Sequence, residues 1–178
     1  KINEYMAGEK TYTGQITLGA VTPTYDLESE PERHADYAHL SEKEIRDATK
    51  AFIGEIMQMP PIYSAIKVKG TPLYQLARRG KDVELEPRKI VITDFEITNI
   101  SLPVIDFRVS CSTGTYIRSL AHDFGKALGC GAYLSALRRT RVGDFDVAEA
   151  ETIETFTSLI LNLQKEWEGN AGTGDAAV

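Results

Sequence analysis

The chain of 178 residues is 42% apolar and 26% charged, the balance of a soluble globular domain with enough core to need no disulfide or metal staple. No apolar run approaches the roughly 18 residues that span a bilayer, and no signal peptide is expected at the opening Lys-Ile-Asn-Glu-Tyr, which lacks an initiator Met and suggests missing upstream sequence. The two cysteines, Cys111 and Cys130, form no CxxC pair, which argues against a zinc ribbon or disulfide framework and suits a reducing cytoplasm. The net charge of −6 is uneven: residues 1–58 carry −5, residues 59–145 carry +5 and residues 146–178 carry −6. A basic middle between acidic ends either attracts a polyanion or is simply a solvated face.

Residues 10–18 alternate Tyr12, Gly14, Ile16 and Leu18 against Thr and Gln, the period of a strand. Residues 22–32 follow as a turn and acidic loop. Ser41 and Glu44 form a capping-box pattern, Leu40 can staple onto Ile45, and the helix keeps its spacing to Phe52 before Gly54 stops it. Pro60-Pro61 excludes regular helix from residues 57–63. Thr71-Pro72 predicts an N-cap and first helical residue, with a short helix ending at Gly80. Strands are expected at 89–97 and 105–111, then a helix at 115–128 with Ile117, Leu120, Ala121, Phe124 and Leu128 inward. Residues 141–147 predict another strand, residues 152–167 an amphipathic helix, and residues 168–178 a flexible tail. The expected class is α+β, a mixed, mostly antiparallel sheet flanked by helices.

Three features stand out chemically. Arg118 falls in the first turn of its helix, where the macrodipole disfavours a cation, so it either seeks an anionic partner or lies solvated. Tyr12 shares a strand face with Ile16 and Leu18, as a core tyrosine or a stacking platform. The stretch 58–81 interleaves Tyr63 and Tyr74 with Lys67, Lys69, Arg78, Arg79 and Lys81 and holds no acidic residue up to Lys81. Aromatics among cations suit a flexible nucleic-acid strand, and a solvated basic loop is the plainer alternative. Arg138, Arg139 and Arg141 add a second basic cluster. His34, His39 and His122 show no metal-ligand spacing, and no phosphate-binding or nucleophile-elbow motif occurs.

The blocks KTYTGQITLGAVTPTYD, MPPIYSAIKVKGTPLYQLARRGK and STGTYIRSLAHDFGKALGCGAYLSALRRTRVGDF together resemble the bacterial tRNA pseudouridine-55 synthases of the TruB type, in the family's order and across residues 10–145. The resemblance implies an isomerase that converts one T-loop uridine of tRNA to pseudouridine without cofactor or metal. It also implies roles for particular residues. Tyr12 would pack on the target base. Arg118 would pair with the catalytic aspartate, and Asp26 would join the arginine network. Tyr116 and Leu137 would line the uridine pocket, and the basic 58–81 stretch would close over the T-arm. The family's nucleophile lies in a Gly-Thr-Leu-Asp-Pro motif upstream of the Lys-x-Tyr block, and that motif is absent here. The expectation is therefore a partial catalytic domain over residues 1–167, without the family's C-terminal PUA domain and inactive alone. A non-catalytic tRNA-binding fragment or degenerate relative is the alternative. A cytoplasmic monomer is the default expectation.

Overall fold

A computed structural model describes residues 8–33, 35–64, 67–68, 71–72 and 85–171. The chain divides into two compact units, the first ending at Phe145 and the second starting at Asp146.

The first unit is built on a six-stranded sheet. Its strands are β1 (Lys10–Leu18), β4 (Gly54–Gln58), β7 (Arg88–Ser101), β8 (Val104–Cys111), β9 (Ala132–Val142) and the two-residue β10 (Phe145–Asp146). The spatial order is β10-β9-β1-β8-β7-β4, and the long pairings are antiparallel. Two small ribbons complete the strands: β2 (Ala20–Val21) with β3 (Glu32–Arg33), and β5 (Lys67–Val68) with β6 (Thr71–Pro72). Helices α1 (Glu42–Ala48) and α2 (Ile117–Ala127) complete the α+β unit.

The alternation in β1 and β8 is what makes one sheet face apolar. Ile16, Leu18, Ile105, Phe107, Val109 and Cys111 are all buried there. α2 contributes Ile117, Leu120, Ala121 and Phe124 to the same core. Phe95 of β7 is its aromatic hub, edge-on to Phe107 at 6.1 Å and to Phe124 at 5.4 Å. The opposite sheet face is polar: Asp106 accepts from Gln15 and Asn99, and Arg108 pairs with Asp94 and Glu96.

The predicted capping box of α1 is present. Glu44 N–H donates to Ser41 Oγ, and Ser41 N–H donates to Glu44 Oε2 at 2.8 Å. A 3-10 turn, Thr49–Phe52, carries Phe52 onto Phe95. Gly54 then takes φ +98°, a left-handed conformation that ends the helical stretch and opens β4.

Within the first unit the structure departs from the sequence expectations at three places. Thr71–Pro72 is not a helix start but a short strand, paired as Lys67↔Pro72 and Val68↔Thr71. Proline's fixed φ suits an extended edge as well as a helical first turn. The rest of the expected helix, from residue 73 to Gly80, lies outside the described residues. Residues 132–142 form one long strand that alternation did not reveal. Its register against β1 shifts between Thr11 and Tyr12 and again between Gln15 and Ile16. Those irregularities leave Ala136, Leu137, Arg138 and Arg139 exposed in succession, so the period of two is lost. The expected strand at 141–147 is instead the end of β9, a turn at Gly143-Asp144, and β10.

The second unit contains α3 (Ile153–Ala171), which ends four residues beyond the expected 167, so the predicted tail begins within helix. Thr152 caps it, accepting from Thr155 N–H on its side-chain oxygen.

Gly125 sits where α2 meets the start of β9. A Cβ there would lie 2.2 Å from Ala132 N and 2.4 Å from Gly131 C, both backbone atoms that cannot step aside. Gly125→Ala should therefore lower the unfolding free energy by about 2 kcal/mol, despite the roughly 1 kcal/mol that alanine gains in helix propensity. Urea denaturation checks this: a midpoint at or above wild type would contradict the close approach.

Candidate active site

Arg118 occupies the first turn of α2, the position the macrodipole disfavours. The structure supplies the anion. Arg118 Nη1 lies 2.8 Å from Asp26 Oδ2, and the two side chains are only 17% and 20% exposed. Glu28 stands farther off at 3.7 Å and is largely solvated. Arg118 Nη2 donates to the backbone carbonyl of Tyr63. The planar fork is thus split between a carboxylate and a carbonyl, and its other N–H groups make no contact among the described residues.

Asp26 is held by backbone as well as charge. It forms a one-residue parallel bridge with Leu134 of β9, next to a hydrogen bond from Leu134 N–H to Tyr25 carbonyl at 2.9 Å. Tyr25 itself has φ +67°, a rare backbone for a tyrosine. Its ring stacks on His122 at 3.9 Å, and His122 lies one turn beyond Arg118 on α2. Burial pushes the Tyr25 phenol above its ordinary value, and the charge of Asp123 adds to the shift.

Tyr12, Leu137 and Arg139 form a second group on the same sheet face as Ile16. The register sets Tyr12 opposite Arg139 and Gly14 opposite Leu137, so the three side chains are neighbours on that face. Gly14 is required: a Cβ would lie 2.3 Å from Ala136 carbonyl oxygen and 3.0 Å from the Phe107 ring. Leu137 is 47% exposed, unusual for a leucine on a core-facing row. Burial raises the Tyr12 phenol pKa, Cys111 adds to the shift, and a hydrogen bond and charge from Arg139 oppose it.

The structure thus brings Asp26, Arg118 and Tyr63 into direct contact, the last through its carbonyl. It places Tyr12 with Leu137 and Arg139. Tyr116 is the N-cap residue of α2, two positions before Arg118. Arg138 lines a cavity of about 320 Å³ with Thr13, Gln15 and Asp106. Arg141 Nε donates to Gly143 carbonyl and so braces its own hairpin. Lys67 lies on β5. Lys69, Tyr74, Arg78, Arg79, Lys81 and His34 lie outside the described residues.

Sequence reasoning missed Gln58. It is 2% exposed; its Oε1 accepts from Tyr116 N–H at 2.8 Å and its Nε2 donates to Tyr116 carbonyl at 3.0 Å. The one available signal was a polar residue closing a strand just before Pro60-Pro61. The stack of Tyr25 on His122 was also missed, because its partners are 97 positions apart.

Removing one member of the mostly buried ion pair should cost more than the pair contributes. Asp26→Asn is expected to lose about 1–3 kcal/mol of stability by leaving the Arg118 charge poorly matched. Combining it with Arg118→Met should cost clearly less than the two single changes added together. Strict additivity in denaturation would show that the contact carries no coupling.

Known proteins resemble the chain over most of its length. A family model described as TruB family pseudouridylate synthase (N terminal domain) matches residues 1–117. A second, the tRNA pseudouridylate synthase B C-terminal domain, matches residues 118–171. The seam falls in the first turn of α2, between Ile117 and Arg118. A tRNA pseudouridine synthase B of Flavobacterium johnsoniae is 53% identical over 88% of this chain and 68% of its own. That of Opitutus terrae is 47% identical over 90% of this chain and 67% of its own. Among solved structures, one of a Cbf5-Nop10-Gar1 complex matches 80% of this chain and 32% of its own, with TM-score 0.56 and 32% identity. One of an H/ACA RNP bound to a substrate RNA containing 2′-deoxyuridine matches 82% of this chain and 32% of its own, with TM-score 0.54 and 28% identity. With one family pattern running through residue 117, the second taking over at Arg118, and more than half of the aligned residues shared with a curated synthase, the chain belongs to the TruB family of pseudouridylate synthases, enzymes of tRNA modification.

Proposed function

We propose that this chain is the pocket-bearing part of a synthase that isomerises uridine 55 in the T-arm of tRNA, acting as a monomer in the cytoplasm. The observation that carries the reading is Arg118: a partly buried guanidinium held by Asp26 on one side, whose further N–H groups make no hydrogen bond among the described residues. A catalytic carboxylate suits such donors, because a charge-assisted bond keeps a nucleophile ionised and oriented. The Gly-Thr-Leu-Asp-Pro motif that supplies this carboxylate in the family does not occur in residues 1–178. This chain then supplies the arginine and the pocket, and the nucleophile comes from a Gly-Thr-Leu-Asp-Pro segment that residues 1–178 do not contain.

A stacked loop uridine must be flipped out before its glycosidic bond can be reached. The carboxylate then acts on the nucleotide, the C1′–N1 bond breaks, the uracil turns in the pocket and C1′ joins C5. The C5 proton leaves and N1 gains one. Tyr12 and Leu137 sandwich the detached base, and Tyr116 fixes its orientation. Asp26 is a positioning residue, acting through Arg118. The hydroxyl of Tyr12 takes the C5 proton at the end, directly or through water. Arg138, Arg139, Arg141 and the basic run of Tyr63, Lys67, Lys69, Tyr74, Arg78, Arg79 and Lys81 bind the RNA backbone and its splayed bases.

Tritium release from tRNA labelled at uridine C5 tests this, with the chain itself and with a form extended by the Gly-Thr-Leu-Asp-Pro segment. The chain alone should bind tRNA in a salt-dependent way without release, and the extended form should release tritium. Release by the chain alone would show that the nucleophile lies within it. Binding without release by both forms would favour a non-catalytic tRNA-binding relative. In the extended form, Tyr12→Phe should keep tRNA affinity and lose most turnover. Arg118→Lys keeps the charge but loses the planar fork; a rate within a few-fold of wild type would remove Arg118 from the chemistry.

A further inference from the structure

We infer that Gln58 is a positioning residue for the reaction: its amide sets the first turn of α2 and through it the orientation of Arg118. This deepens the proposed function and rests on its reading of Arg118.

A buried amide is costly unless both of its ends are paired. Gln58 is 2% exposed, and both ends are satisfied by one residue, Tyr116. Its Oε1 takes the Tyr116 N–H, and its Nε2 donates to the Tyr116 carbonyl, in the manner of one strand pairing with another. Tyr116 is the N-cap of α2 and has no side-chain cap of its own. Its carbonyl also opens the helical ladder, accepting from Leu120 N–H at 3.1 Å. Gln58 therefore grips the atom on which the helix starts, two residues before Arg118.

The same segment grips the arginine again. Five residues after Gln58, the Tyr63 carbonyl accepts from Arg118 Nη2. The stretch 58–63 thus holds the helix entry at its backbone and at its guanidinium. A displacement of about 1 Å at reacting groups can cost roughly a hundredfold in rate, so a grip of this kind bears on turnover. The residue type is specific. Methionine fills the space without either hydrogen bond, an ionised glutamate lacks the donor, and asparagine is one methylene short.

The test uses the extended, catalytically competent form and tRNA tritiated at uridine C5. Gln58→Met should lower kcat roughly tenfold or more while KM stays within about twofold, the signature of a group that acts after binding. Gln58→Asn, which keeps the amide, should show the same split and serves should the Met variant fail to fold. Added to Arg118→Lys, either change should slow turnover no further, because Gln58 acts through the guanidinium. A KM effect without a kcat effect would overturn the inference. So would losses that multiply in the double variant, the mark of a merely structural role. Slow Arg118→Lys beside normal Gln58 variants overturns this inference alone; normal Arg118→Lys overturns the reading beneath it as well.

Discussion

A cation in the first turn of a helix is electrostatically misplaced, and the architecture around Arg118 resolves that conflict. The guanidinium cannot be deprotonated, and with 17% side-chain exposure it cannot rely on water. It must be met by acceptors brought from elsewhere in the chain. Asp26 comes from the turn after β2, and the Tyr63 carbonyl from the segment after β4. One side chain therefore ties together three stretches that no secondary-structure element joins. The strained Tyr25 backbone, the stack on His122 and the bridge to Leu134 all serve to deliver one carboxylate.

The sheet divides its labour by face. On one side β1, β8 and α2 enclose the aromatic core, and the row continues outward from Ile16 through Gly14 to Tyr12, where burial fades and chemistry can begin. The other side is a solvated network of Asp106, Gln15, Asn99 and Arg108. Irregularities in the β1–β9 pairing keep this division while bending the row. They set Arg139 opposite Tyr12 and Leu137 opposite Gly14 and leave both exposed.

What was legible in the sequence follows from how local the cause was. The capping box of Ser41 and Glu44, the alternation of β1 and β8 and the apolar stripe of α2 depend on neighbours within a few residues, and each formed as expected. The helix position of Arg118 left an anionic partner and a solvated side chain both open, and the family resemblance placed Asp26 in the arginine network without naming it the direct partner that it is here. β9 was hidden because its register slips against a strand more than a hundred positions away. Thr71-Pro72 misled because proline at a helix start and proline at a strand edge look alike in sequence. Gln58 was invisible because its value lies in a backbone 58 positions distant.

β9 carries a further consequence. Among the described residues, its outer side pairs with the two residues of β10 at one end and with Asp26, through a single bridge, near the other. Between them the described residues leave a stretch of strand edge without a ladder partner, the kind of edge on which a second chain can pair. Arg138, Arg139 and Arg141 crowd that edge with like charge, so two copies brought edge to edge would repel. Stripping these arginines to probe RNA affinity would therefore also remove a safeguard against self-association. A variant that loses RNA binding by that route should be judged for colloidal behaviour before its loss is ascribed to the missing contacts.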